Sequence, residues 1–286
     1  MIRIMIVLVL GTLFLYPKLN CVVSIPPLKS LVDAVGGSQI ESTVMVLPGN
    51  SPHTYEPKPS QMRALEKADC YFAVGVEFEK AWLPRFQAQN PRMLIVDLSR
   101  GIQKIPMEHH HHESHGKEEH EEEHEHLDPH IWTTPSHLKK MADTIRQTLE
   151  RLDPKHKKLY ESNYRKVLAK IQATDTKIRQ TLASLPPHSR FMVFHPSWGY
   201  FAKEYGLIQI PVEMEGKSPK PRQLMRLIDE ARQEKIRAIF VQPEFSDKSA
   251  QLLARELKIP VIKISPLAPD WSANLLRLAE AIAGKE

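Results

Sequence analysis

Residues Leu159–Pro187 read LYESNYRKVLAKIQATDTKIRQTLASLPP, and this stretch decides how the chain is organised. Apolar residues recur at Leu159, Tyr164, Val167, Leu168, Ile171, Ile178, Leu182 and Leu185, mostly at helical spacing. The pattern predicts one helix of about 25 residues or more, long for a globular domain. Asp153-Pro154 precedes it and Pro186-Pro187 ends it, since proline cannot continue the hydrogen-bond ladder. Another amphipathic stripe lies just upstream, at Leu138, Met141, Ile145, Thr148, Leu149 and Leu152.

On both sides of these helices the period changes. Upstream, short apolar runs at 22–25, 43–47, 70–74 and 93–97 read as strands. Helical segments separate them: Leu28 to Val35, a helix capped by Ser60 and running through Leu65, and one near 78–87. Downstream, strands at 191–194, 208–212, 238–242 and 260–264 alternate with helices carrying Leu224 to Ala231, starting at Ser246, and covering 271–283. Alternation of this kind indicates α/β architecture with parallel sheets. The expected layout is an N-terminal lobe 21–154, a linking helix 155–187 and a C-terminal lobe 188–286.

A chain of 286 residues with 42% hydrophobic side chains has enough apolar surface for two cores. Residues 1–20 read as an export leader, with Arg3 followed by the apolar run Ile4–Leu15, too short to span a bilayer comfortably. Export places the protein in the periplasm or on the outer face of a bacterium. Cys21 stands where a lipid-bearing cysteine would, but Asn20 before it fits that role poorly, and the start of a buried strand is the better reading. Two cysteines make neither a disulfide framework nor a zinc–thiolate cluster.

The segment Glu108–His126 stands apart, with eight His, eight Glu and no apolar residue. Its eight Glu against one Lys give −7, so the remainder of this +5 chain carries +12. The basic residues are scattered over helical faces without interleaved aromatics, so nucleic acid is not an expected partner. The acidic run itself should be a solvated, mobile loop that collects divalent metal weakly. It contains His120-Glu121-Glu122-Glu123-His124, which matches the zinc-protease pattern H-E-x-x-H. In a segment made of His and Glu such a match follows from composition, and nothing apolar is present to bury the helix that the chemistry needs. No enzyme is expected.

Three isolated histidines have a different setting. His53 lies past the strand at 43–47, His195 directly follows 191–194, and His130 follows 93–97 after the acidic insertion. Ligands of parallel α/β sheets bind beyond the carboxyl ends of strands. Alone, each would read as an ordinary surface or capping histidine; the shared position points to one site between the two halves. His137, His156 and His188 lack that setting and read as surface residues.

The segments Pro48-Gly49-Asn50-Ser51-Pro52-His53-Thr54-Tyr55-Glu56-Pro57, Asp128-Pro129-His130-Ile131-Trp132 and His195-Pro196-Ser197-Trp198-Gly199-Tyr200 resemble motifs of one family. It comprises the zinc- or manganese-specific solute-binding proteins of bacterial ABC importers. Glu215–Pro219 and Ala238–Pro243 extend the resemblance over nearly all the mature chain. It implies two lobes bridged by a long helix, a metal ion in the cleft held by His53, His130 and His195, and a membrane permease as partner, with the binding protein a monomer. A His/acid-rich loop before the second ligand is typical of zinc members. The family commonly has an Asp where this chain has Ser265. A neutral hydroxyl is a poor zinc ligand, which leaves water, Asp270 or Glu56 as the fourth donor. Three imidazoles and one oxygen suit tetrahedral Zn²⁺, whereas Mn²⁺ prefers more carboxylate.

Overall fold

The computed structural model describes residues 17–107, 127–213, 217–245 and 248–285. Most of the expected leader, the run 108–126 with its His120–His124 pattern, and Glu215-Gly216 lie outside the described residues.

Strands β1 (Leu19–Val23), β2 (Ile40–Val44), β3 (Cys70–Ala73) and β4 (Leu94–Asp97) form one sheet in the order β2-β1-β3-β4. Strands β5 (Arg190–Val193), β6 (Ile208–Pro211), β7 (Ile239–Val241) and β8 (Val261–Lys263) form a second in the order β6-β5-β7-β8. Every pairing is parallel. The two orders repeat one winding, which reverses direction between β1 and β3 and again between β5 and β7. A crevice opens at such a reversal, beyond the strand ends.

The helices are α1 (Pro26–Gly36), α2 (Pro59–Glu66), α3 (Glu77–Gln89), α4 (Pro135–Leu152), α5 (Lys157–Leu182), α6 (Gly199–Tyr205), α7 (Pro221–Gln233), α8 (Lys248–Leu257) and α9 (Trp271–Ile282). The long helix is α5, and it packs on α1 and α4 of the first lobe and on α9 at the chain's end. Its buried stripe is Tyr160, Val167, Ile171, Thr174, Ile178, Thr181 and Leu182, so two threonines take places where an apolar residue was expected. Thr174 Oγ1 donates to Lys170 O at 2.8 Å and lies 2.7 Å from Ser272 Oγ on α9. Both hydroxyls find partners, so the seam stays polar without leaving an orphan.

One core runs from the first sheet through α5 into the inner face of the second sheet, taking in Phe191, Val193 and Phe240. Alternate residues Met192, Ile210, Ile239 and Val241 face the other way, into a separate core with Leu227 of α7 and Leu253 of α8. This is the two-sided burial that parallel sheets require.

Three expectations change in detail. Ser60 does not cap α2: Pro59 is the first helical residue, Lys58 takes the cap position, and Gln61 Oε1 accepts from the Lys58 amide at 2.9 Å. Strand β1 begins at Leu19, with Leu19 and Asn20 paired to Ile40 and Glu41, two residues inside the segment read as leader. Cys21 is buried in that strand with its Sγ 3.4 Å from that of Cys70. His137 is half-buried, its ring against Tyr200 and its Nδ1 donating to Ile131 O at 2.9 Å, with its pKa lowered by burial. No helix among the described residues is long and apolar enough to cross a membrane.

Candidate metal centre

His53, His130 and His195 converge where the two lobes meet, each offering a ring nitrogen that lies within 4.8 Å of the others. Among the described residues no further His, Cys, Asp or Glu joins this group. His53 sits in the loop after β2, His195 two residues past the end of β5, and His130 just before a 3-10 turn, Ile131–Thr133, that leads into α4. His53 and His195 thus lie in the loops that follow β2 and β5.

Each imidazole has a carboxylate oxygen beside its Nδ1, hydrogen-bonded to it at His130 and His195. His130 Nδ1 lies 2.7 Å from Asp128 Oδ1, which also accepts from the His130 amide at 2.8 Å. His195 Nδ1 lies 2.7 Å from Glu213 Oε1, and His53 Nδ1 lies 2.8 Å from Glu77 Oε2. A carboxylate on Nδ1 holds the proton there and turns Nε2 and its lone pair towards the centre. His53 Nε2 and His195 Nε2 are 3.2 Å apart. In the metal-free protein one of the two can donate to the other; with both neutral and unprotonated at Nε2, they offer two lone pairs to one cation.

Electrostatics separate the three pairs. Burial disfavours the His195 imidazolium and lowers its pKa despite the Glu213 hydrogen bond. For Glu77, burial pulls the carboxyl up, but His53 outweighs it and brings the value down to about 2. The His130–Asp128 pair is almost fully enclosed, whereas Glu77 stands at the more open edge.

The second lobe holds the first lobe's ligand loop directly. Tyr200 OH donates to Asp128 O at 2.7 Å and accepts from the Ile105 amide at 3.3 Å. A Cβ on Gly199 would lie 2.9 Å from Asp128 Oδ2, so only glycine permits this approach. Trp132 Nε1 reaches across to Pro266 O at 2.8 Å, with its ring against His130. Gln242, in the crevice between β5 and β7, donates to His195 O and Ser197 Oγ, both at 2.8 Å. Phe245 stacks on His195 with centroids 4.7 Å apart.

The fourth-donor candidates are engaged elsewhere. Ser265 Oγ donates to Glu244 Oε1 at 2.7 Å and accepts from the Leu267 amide at 3.0 Å. Asp270 is exposed and caps α9, accepting from the Ala273 amide at 3.2 Å and from Lys170 at 3.3 Å. Glu56 is exposed and outside the cluster. The sequence alone does not single out the three carboxylates beside the rings. Asp128 carried a signal, standing two residues before His130 in a quoted motif; nothing marked Glu77 or Glu213 among many acids.

The profile of the zinc-uptake complex component A family, a periplasmic protein, matches residues 21–283. The chain belongs to this family. A crystal structure of ZnuA superposes with a TM-score of 0.84 and 38% identity, covering 93% of this chain and 98% of that one. The high-affinity zinc uptake system protein ZnuA of Bacillus subtilis is 28% identical over 244 residues, 84% of this chain and 77% of its own length. The manganese-binding lipoprotein MntA of Halalkalibacterium halodurans is 27% identical over 227 residues, 78% of this chain and 71% of its own. Members of the zinc-uptake component family are solute-binding proteins of metal importers, and proteins named for zinc and for manganese are both among this chain's relatives.

Proposed function

We propose that the protein captures Zn²⁺ outside the cytoplasm through Nε2 of His53, His130 and His195 and delivers it to an ABC permease, without catalysis. The observation that carries this reading is the convergence of three ring nitrogens within 4.8 Å of one another, with Nε2 of His53 and His195 3.2 Å apart. Tetrahedral zinc with Zn–N bonds of about 2.05 Å puts neighbouring nitrogens about 3.3 Å apart. Water then supplies the fourth position, since Ser265 and Asp270 are otherwise bonded.

Manganese is the second reading, favoured by relatives such as MntA. Against it, the three ring nitrogens that converge are all imidazole, and Mn²⁺ favours oxygen ligands. Calorimetry with a competing chelator on wild type and on His53→Ala, His130→Ala and His195→Ala tests the assignment. Each variant should lose the tight Zn²⁺ site. Wild-type affinity in all three would end the proposal, and tighter Mn²⁺ than Zn²⁺ would favour the second reading.

The run 108–126 is read as a collector beside this site. Its base is closed: Pro106 and Leu127 form an antiparallel bridge, and the Asp128 amide donates to Ile105 O at 2.8 Å. A ZnuA deletion mutant with zinc bound, 38% identical, has the same fold at a TM-score of 0.83. Removing 108–126 should lower zinc stoichiometry and leave the tight site. The protease reading would instead require peptide hydrolysis that Glu121→Gln abolishes. For location, burial of Cys21 against Cys70 favours a periplasmic protein over one anchored through Cys21.

A further inference from the structure

His53 is the least buried of the three histidines and lies on a loop, so something must hold it in register with the other two. Its contacts lead to α3. The first residue of that helix, Glu77, meets His53 Nδ1, and the Phe78 amide donates to the carbonyl of Pro52, the residue before His53, at 3.3 Å. The position of the α3 N-terminus therefore sets the position of His53.

That terminus is held by a buried carboxylate. Glu79, 2% exposed, turns back to accept from the Val74 amide at 3.0 Å and the Gly75 amide at 2.7 Å. It also accepts from Ser24 Oγ, whose oxygen lies 3.0 Å from Tyr71 OH. Ser24 follows β1 and Val74 follows β3, so Glu79 fills the crevice where the first sheet reverses its winding. Gln242 occupies the equivalent crevice of the second sheet, where it fixes the backbone of His195. Gly75 has φ +86° and turns the chain so that its amide can reach the carboxylate.

We infer that Glu79 is a positioning residue for the metal site: it ties the ends of β1 and β3 to the first turn of α3 and so fixes the two contacts that orient His53. This rests on His53 being a ligand. Glutamine at this place keeps the size but sets an NH2 group against one of the backbone amides. Two donors then face each other, and the 74–78 segment has to move.

The test is a double-mutant cycle on the full chain, read as Zn²⁺ affinity by chelator competition, with Co²⁺ absorption as a second reading of ligand geometry. Glu79→Gln should weaken Zn²⁺ binding by about tenfold, the lower end of the effect of disturbing a ligand's supporting partner. It should also alter the Co²⁺ spectrum. In a His53→Ala background the same change should cost almost nothing, because its effect passes through His53. Wild-type affinity for Glu79→Gln, or an equal loss in both backgrounds, would overturn the inference. If Glu79→Gln does not fold, Ser24→Ala, which removes one donor to the carboxylate, is judged by the same cycle. Unchanged affinity in His53→Ala alone would instead remove the ligand assignment underneath it.

Discussion

Asp128 gives a graded test of how the centre is built. Its Oδ1 accepts from both the ring and the backbone amide of His130, at 2.7 and 2.8 Å, and both side chains are 2% exposed. Asp128→Asn keeps a carbonyl oxygen that can accept both bonds and still select the Nε2 lone pair, but it removes the charge. Asp128→Ala removes the acceptor as well and leaves Nδ1 without a partner in a dry site. Partners of this kind contribute about 10- to 100-fold in metal affinity. The Asn variant belongs at the lower end, about 1.4 kcal/mol, and the Ala variant at the upper end, about 2.7 kcal/mol. Zinc competition against a chromophoric chelator at fixed neutral pH reads both. An Ala variant within about twofold of wild type would show that Asp128 does not orient His130.

Zinc affinity should fall as pH is lowered, because each imidazole must be neutral to bind. Burial lowers the His195 pKa, so its share of the loss should come below the ordinary value of about 6.5; a pH series of dissociation constants checks this. Glu79 should produce the opposite trend in the stability of the metal-free protein. Burial pushes its carboxyl from 4.5 up to about 7, so the folded state holds a proton that the unfolded chain has released. Its contribution is fully present below about 4.5 and declines by roughly 3 kcal/mol as pH rises to about 7. The difference in unfolding free energy between wild type and Glu79→Gln should carry that slope in urea titrations across the range, and a flat difference would refute it. Trp132→Phe removes the donor to Pro266 O across the lobes, which should cost about 1–3 kcal/mol and lower Tm by several degrees. An unchanged Tm would mean that water replaces the bond.

The eight strands and the long helix were legible because they rest on local apolar periodicity, which burial in a parallel sheet or against α5 imposes directly. Thr174 broke the pattern because the α5–α9 seam satisfies its hydroxyl through a contact 98 residues away in sequence, with Ser272. Ser60 looked like a cap, but Pro59 starts the helix one residue earlier. His53, His130 and His195 could be picked out because strand ends in α/β folds are few and shared. Glu77, Glu79 and Glu213 could not be sorted into roles, since each meets its partner through chain that folds back within its own lobe over many residues, whereas Asp128 stands two residues from its histidine. The showy run 108–126 drew attention by composition, yet the convergent geometry begins after it, at Asp128 and His130.

Anomalous scattering at the zinc edge, from crystals of the zinc-loaded full chain, is the most direct measurement. We expect one strong peak about 2.0–2.1 Å from Nε2 of His53, His130 and His195 together. A principal peak elsewhere, or one that leaves any of the three rings uncoordinated, would contradict the proposed site.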